Sequence, residues 1–281
     1  MSKIRPWLFL FLLVMLSGCS QRSFRFPWQS TENQNQDFSL VVGKDDTKNK
    51  RPLIIDMVDS KLNPVSKKDL GACSKSLAMP LEKLAPAHPS NFGSRDAWDA
   101  WGRRLKSSPQ LIVLHETVIS APQTVALFQT NHPEDDQQLS YHLLIDRDGS
   151  RLRVVPDQKR AFGAGMSAFG DVTLRPKPTS VGSINNIALH VSLVSPEDGR
   201  DDRDAHSGYT DPQYKALAGQ VLLWQAAFGI PMTRVTTHAA VDRSHSRYDP
   251  RSFRWDRFDR HYHSAAAACA FPQFDNRQAG L

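Results

Sequence analysis

A chain of 281 residues has room for one substantial domain with appendages, or for two small ones. At 40% hydrophobic and 23% charged residues the composition is globular, and three cysteines with no Cys-x-x-Cys pair exclude a disulfide-built scaffold and a thiolate zinc site. The net charge is +6, but Lys3 and Arg5 supply two of those charges, and the +4 left from Cys19 onward is too weak to argue for a nucleic-acid partner.

Lys3 and Arg5 form a short basic region ahead of ten unbroken apolar residues, Trp7 to Leu16. Ten residues are about half of the roughly 20 that a membrane-spanning helix needs, so residues 1–18 read as a signal peptide. The sequence that ends it, Leu16-Ser17-Gly18-Cys19, resembles the lipobox of bacterial lipoproteins. That resemblance implies lipidation of Cys19, and Ser20 in the next position implies delivery to the outer membrane of a Gram-negative envelope, facing the periplasm. An exported chain folds under oxidising conditions, where Cys73 and Cys269 could pair; two separate buried thiols are the alternative.

Residues 19–51 read as a tether, because Ser30 to Asp37 is polar and Lys44 to Arg51 is mostly charged, and neither stretch can bury a core. Residues 52–108 form an extension without an assigned role. Within it Pro52 to Ile55 suits a short strand, and Ala97 to Leu105 suits a short helix with Trp98, Trp101 and Leu105 at helical spacing.

The main domain is expected over 109–263. Leu111 to His115 is apolar on both faces, as in a central buried strand. A helix opened by Ser120 is expected over Pro122 to Phe128, and a hairpin joins Ser140–Asp146 to Arg151–Val155 through Asp146-Arg147-Asp148-Gly149. Ile187 to Val194 is a further strand, with Ile187, Leu189, Val191 and Leu193 on one face and Ala188, His190 and Ser192 on the other. The clearest helix is 211–228, opened by a Thr210/Gln213 capping box and stopped by Gly229 and Pro231. Residues 264–281 are a small, polar tail. The fold class expected is α/β, a mixed central β-sheet flanked by helices.

Ten histidines are spread along the chain. His115 stands out because it ends an otherwise apolar strand, where a polar group must find a partner or a task. His115-Glu116 does not complete a His-Glu-x-x-His motif, since residue 119 is Ile, and Gly165 to Phe169 lacks the closing glycine of a serine-hydrolase elbow. Taken together, Leu111 to His115, Tyr141-His142-Leu143-Leu144-Ile145-Asp146-Arg147-Asp148-Gly149, Ala161 to Gly165, Asn186 to Val194, Tyr209 to Leu217 and His238 followed by Asp249-Pro250 resemble the zinc-dependent N-acetylmuramoyl-L-alanine amidases. This is the family of the phage lysozyme-type amidases and the peptidoglycan recognition proteins.

The resemblance covers about residues 105–260. It implies a mixed sheet with a zinc cleft on one face and Zn²⁺ held by His115, His238 and Asp249. Three protein ligands leave the fourth position to water and substrate. The reaction implied is hydrolysis of the amide between N-acetylmuramic acid and L-alanine, in peptidoglycan or in muropeptides. A monomer is expected, with the lipid anchor as its membrane contact.

The proton-handling residues depart from the family pattern. His190 stands where many bacterial members carry Glu, and serves equally well as a proton shuttle or as a hydrogen-bonded structural histidine. Arg247 stands for a family Lys and keeps the charge for an oxyanion without serving as a proton donor. Tyr141 matches a catalytic tyrosine or is a core aromatic. Gly163 replaces a histidine, Arg251 replaces a glycine, and His245 is a competing ligand candidate within the loop. A rival reading is a non-catalytic peptidoglycan-binding lipoprotein of the same fold. The presence of Asp249 favours the enzyme, since non-catalytic relatives commonly lose the third ligand.

Overall fold

The computed structural model describes residues 62–105 and 107–271. The leader, Cys19, the tether, the strand expected over 52–55 and most of the tail lie outside the described residues. In chain order the elements are α1 (Lys67–Ser76), β1 (Glu82–Leu84), β2 (Phe92–Ser94), β3 (Leu111–Glu116), α2 (Ala121–Gln129), β4 (Leu143–Ile145) and β5 (Arg151–Arg153). They continue with β6 (Lys159–Ala161), β7 (Ala188–Leu193), α3 (Asp211–Phe228), β8 (Val235–Thr237), α4 (His238–Val241) and α5 (Trp255–Cys269).

Six strands form one sheet in the order β1-β5-β4-β7-β3-β8, and β2 and β6 make a separate antiparallel pair. Within the large sheet the β4–β5 hairpin pairing is antiparallel and the other pairings are parallel. The fold is thus a mixed, mostly parallel α/β sheet. All six residues of β3 and all six of β7 are buried, as befits central parallel strands covered on both faces.

Alternation along these strands divides the core. Ile112, Leu114, Leu189, Val191 and Leu193 pack with Tyr214, Leu217, Val221 and Trp224 of α3 and with Phe258 and Tyr262 of α5. On the other face Leu111, Val113 and Ala188 meet Ala164, Ile184 and Val241, while Leu144 meets Phe128 of α2 and Val154 in a further cluster. His115, His142 and His190 are completely buried on that second face.

Helix α3 has the limits that its end signals dictate. The Thr210 and Gln213 side chains cap each other's backbone, and Gly229 closes the helix at φ 68 in the left-handed region. A Cβ there would lie 2.1 Å from the Leu62 carbonyl oxygen, so the position admits only glycine. α2 likewise has a Ser120/Gln123 capping box.

The helix expected over Ala97–Leu105 does not form. The Asp99 carboxylate accepts the N–H groups of Trp101 at 2.9 Å and Arg103 at 2.7 Å, Gly102 takes φ +76, and Trp98 bridges to Arg104. This is a side-chain-capped turn outcompeting a helix. Trp98 and Trp101 are 58% and 61% exposed, so their spacing marks no buried face.

Residues of the extension belong to the same fold: β1 pairs with β5, β2 with β6, and the Val65 N–H donates to the Ala226 carbonyl at 2.7 Å. Cys73 of α1 and Cys269 at the end of α5 form a disulfide across a sequence separation of 196. Replacing both cysteines by Ala should lower the unfolding free energy by about 2–5 kcal/mol, with helix content retained in the cold. Denaturant titration of both proteins checks this, and an unchanged midpoint would show that the helix contacts alone hold α1.

Candidate metal centre

Three chain segments converge at the C-terminal end of β3. His115 is its penultimate residue. β8 pairs with β3 so that Leu114 lies beside Thr237, which delivers the following residue, His238 at the start of α4, to His115. The Thr237 hydroxyl accepts the Ala240 N–H and fixes that turn. Asp249 comes from the loop between α4 and α5. Its carbonyl accepts the Ala239 N–H at 3.0 Å, and its Oδ2 accepts the Glu116 N–H at 3.4 Å.

The Asp249 carboxylate lies 2.9 Å from His238 Nδ1 and 3.3 Å from His115 Nδ1. The two rings are 4.6 Å apart, and one ligand atom from each of the three residues lies within 4.8 Å of the others. His115 is fully buried, yet its Nδ1 has no hydrogen bond, which is what a metal-facing nitrogen requires. Two imidazoles and one carboxylate suit a zinc-type ion with an open position. Burial, together with the neighbouring His238, brings the His115 pKa down to about 4. Burial alone would raise Asp249, but His238 and His115 hold it well below the usual carboxylate range. At neutral pH the group therefore offers an uncharged His115 and an ionised carboxylate.

His190 lies behind this centre and does not line it. Its Nδ1 is 2.9 Å from His115 Nε2, and its backbone N–H donates to His142 Nδ1 at 3.0 Å. It has no solvent exposure, and of the two readings of this residue the geometry matches the hydrogen-bonded structural histidine rather than the shuttle. Gly163 fits closely against it, since a Cβ at that residue would lie 2.7 Å from the ring's Cγ and Nδ1. The glycine and the histidine are one steric unit.

Tyr141 stacks on the His115 ring at 4.5 Å. Burial and the Asp249 carboxylate push its phenol pKa up, so the hydroxyl keeps its proton as a donor. Arg247 is close enough to bear on both: its charge favours the neutral His115 and opposes the rise at Tyr141. Its backbone is set by Asp242, whose carboxylate also accepts N–H groups from Ser244 and Ser246. Asp242 was not among the residues expected from sequence, although Asp-x-Ser-x-Ser is the signature of such a turn. His245 is exposed, at φ 58, and takes no part in the three-residue group.

Sequence reasoning also passed over Glu116. Its carboxyl group is fully buried and accepts from Arg251 Nε at 2.5 Å, Tyr209 O–H at 2.7 Å and His206 Nε2–H at 2.9 Å. The arginines that follow Arg251 in the chain do not form one face. Arg254 and Arg260 pair with Asp256, and Arg257 pairs with Asp211.

A mostly parallel α/β sheet thus gathers two imidazoles and a loop carboxylate beside the C-terminal end of β3, a group that could hold one metal ion. Residues 105–252 match the family model described as N-acetylmuramoyl-L-alanine amidase, and the chain belongs to that family. No curated protein matches it. Among solved structures it is similar to a selenomethionine derivative of AmpD, at 25% identity over 66% of this chain and 94% of that one, TM-score 0.46. AmpD from Citrobacter freundii is 24% identical over 64% and 89%, TM-score 0.41. AmiD from E. coli, solved as a complex with anhydro-N-acetylmuramic acid-L-Ala-D-gamma-Glu-L-Lys, is 18% identical over 61% and 65%, TM-score 0.42.

Two outcomes are expected. The unfolded His115 has an ordinary pKa of about 6.5 and the folded one about 4, so between these values the unfolded chain binds more protons. The metal-free protein should therefore keep this contribution above pH 6.5 and lose it as the pH falls toward 4; denaturant midpoints in chelator across that range check the slope. Gly163→Ala should cost about 1–3 kcal/mol through collision with His190 and weaken metal binding with it. Unchanged calorimetric and metal-titration results would mean that the ring is free to move.

Proposed function

We propose that the protein is a zinc-dependent amidase that cleaves the bond between N-acetylmuramic acid and L-alanine in peptidoglycan or muropeptides. The observation that carries this reading is the His115, His238 and Asp249 group, which lies within the residues matching the amidase family. When bound there, zinc supplies a Lewis acid for the scissile carbonyl and for water activation. Hydrolysis adds water across the C–N bond, leaving a carboxylate on the lactyl group and a free amine on L-alanine.

The chain's own residues divide the remaining work. Tyr141, protonated beside His115, donates a hydrogen bond toward the charge that develops on the tetrahedral oxygen. Arg247 adds a guanidinium charge beside the centre, bearing on both His115 and Tyr141. His190 holds the His115 ring from behind, as partners of metal-bound histidines commonly do. Cys19 is the proposed lipid attachment point, with residues 20–51 spacing a monomeric catalytic domain from the outer membrane on its periplasmic side. Several acyl chains on one cysteine make such an anchor firm.

The reading is tested by measuring zinc stoichiometry and the release of stem peptide from purified peptidoglycan. About one zinc per chain and chelator-sensitive release are expected. Asp249→Ala should abolish both, while Arg247→Ala should retain zinc and lower kcat by about 10²-fold. Zinc without release would reassign the protein as a peptidoglycan-binding module, and release unaffected by Asp249→Ala would overturn the ligand set.

A further inference from the structure

Glu116 follows the ligand His115 directly, and strand alternation places its side chain on the opposite face, with Ile112 and Leu114. There it is wholly enclosed, with Arg251 only 1% exposed against it and His206 fully covered. Oε1 accepts from Arg251 Nε at 2.5 Å, and Oε2 accepts from Tyr209 O–H at 2.7 Å and from His206 at 2.9 Å. His206 Nδ1 accepts the Gly208 N–H, so its proton sits on Nε2 and points to Glu116. Three further donors of Arg251 reach the carbonyls of Asp201 at 2.7 Å, Arg203 at 2.6 Å and Gly199 at 2.5 Å.

A group so enclosed touches neither substrate nor water. A buried ion pair is also a poor device for stability alone, because desolvation offsets much of its attraction. Its location is what matters. Arg251 is two residues from the ligand Asp249, and Glu116 reaches the same short segment twice, through its backbone N–H to Asp249 Oδ2 and through its carboxyl group to Arg251. With the Ala239 N–H on the Asp249 carbonyl, the ligand segment is held at three points.

We infer that Glu116, locked to Arg251, is a positioning residue that sets the Asp249 carboxylate in place and thereby the metal affinity of the site. The inference rests on the zinc reading given above. The four side chains form a brace that ties the 199–209 segment, the end of β3 and the ligand loop into one unit.

The test uses the full chain with Glu116→Gln and, separately, Arg251→Lys, which keeps the charge but loses the planar fork. Zinc affinity is measured by chelator competition, and the geometry is read from the visible absorption of the cobalt(II)-substituted protein. Glu116→Gln should weaken zinc by about 10–100-fold and shift the cobalt bands, with Arg251→Lys in between. A merely structural network would lower the melting temperature of the metal-free variants and leave zinc affinity within about twofold and the cobalt bands unmoved, which overturns the inference. If Glu116→Gln does not fold, Arg251→Lys decides by the same criterion. Absence of zinc binding by the unmodified protein overturns the zinc reading and this inference with it. Zinc binding by the unmodified protein, with unaltered affinity in the variants, overturns this inference alone.

Discussion

An imidazole with no solvent exposure at the end of a fully buried strand must have both nitrogens provided for, and His115 imposes that demand on everything around it. Nε2 is met by His190 from β7, the parallel neighbour on one side. Nδ1 faces Asp249, with His238 delivered by β8, the parallel neighbour on the other. Parallel pairing matters here because it brings the C-terminal ends of three strands to one place. A neutral ring and a carboxylate held ionised against burial then leave a charge balance suited to a divalent cation.

Behind the candidate ligands, His190 and Gly163 are packed against one another. His190 takes up space that only a glycine at 163 leaves free, so the two positions depend on one another sterically. The ring is also fixed through its backbone, which donates to His142, and the two rings stack at 5.8 Å. A polar strip of His115, His190 and His142 thus runs between two apolar clusters on one face of the sheet. Packing on either side gives these rings little freedom, which is what a well-defined ligand orientation needs.

Much of this was legible because local and tertiary demands agree. Leu111 to His115 reads as a buried strand since both its faces are covered, and α3 has the limits set by its capping box and by Gly229. The family resemblance points to His115, His238 and Asp249, and the structure brings those three together as a group that could hold a metal ion. Where sequence reasoning failed, a side chain had acted on the backbone or over a long range. Asp99 caps a turn where the tryptophan spacing suggested a helix. His190 was rightly placed on the polar face of β7, but which way that face looks, into the cleft or against another ring, depends on packing that a single strand does not encode. Glu116 and Arg251 are 135 positions apart, and nothing local in either pairs them.

The two faces of the sheet have different tasks. One is closed by α3 and α5, with α1 packed across them and secured by the Cys73–Cys269 bond. The other carries His115, His142 and His190, with Tyr141 laid against His115. A metal ligand on a loop needs rigidity that the loop itself lacks, and the closed face is where rigidity is available. Arg251 reaches from the ligand loop to Glu116 on that closed face, so the stiffness of the large core is carried around the end of β3 to the carboxylate of Asp249. In this arrangement the core does more than hold the chain folded: its order reaches the site through a buried charge pair that stability alone would not require.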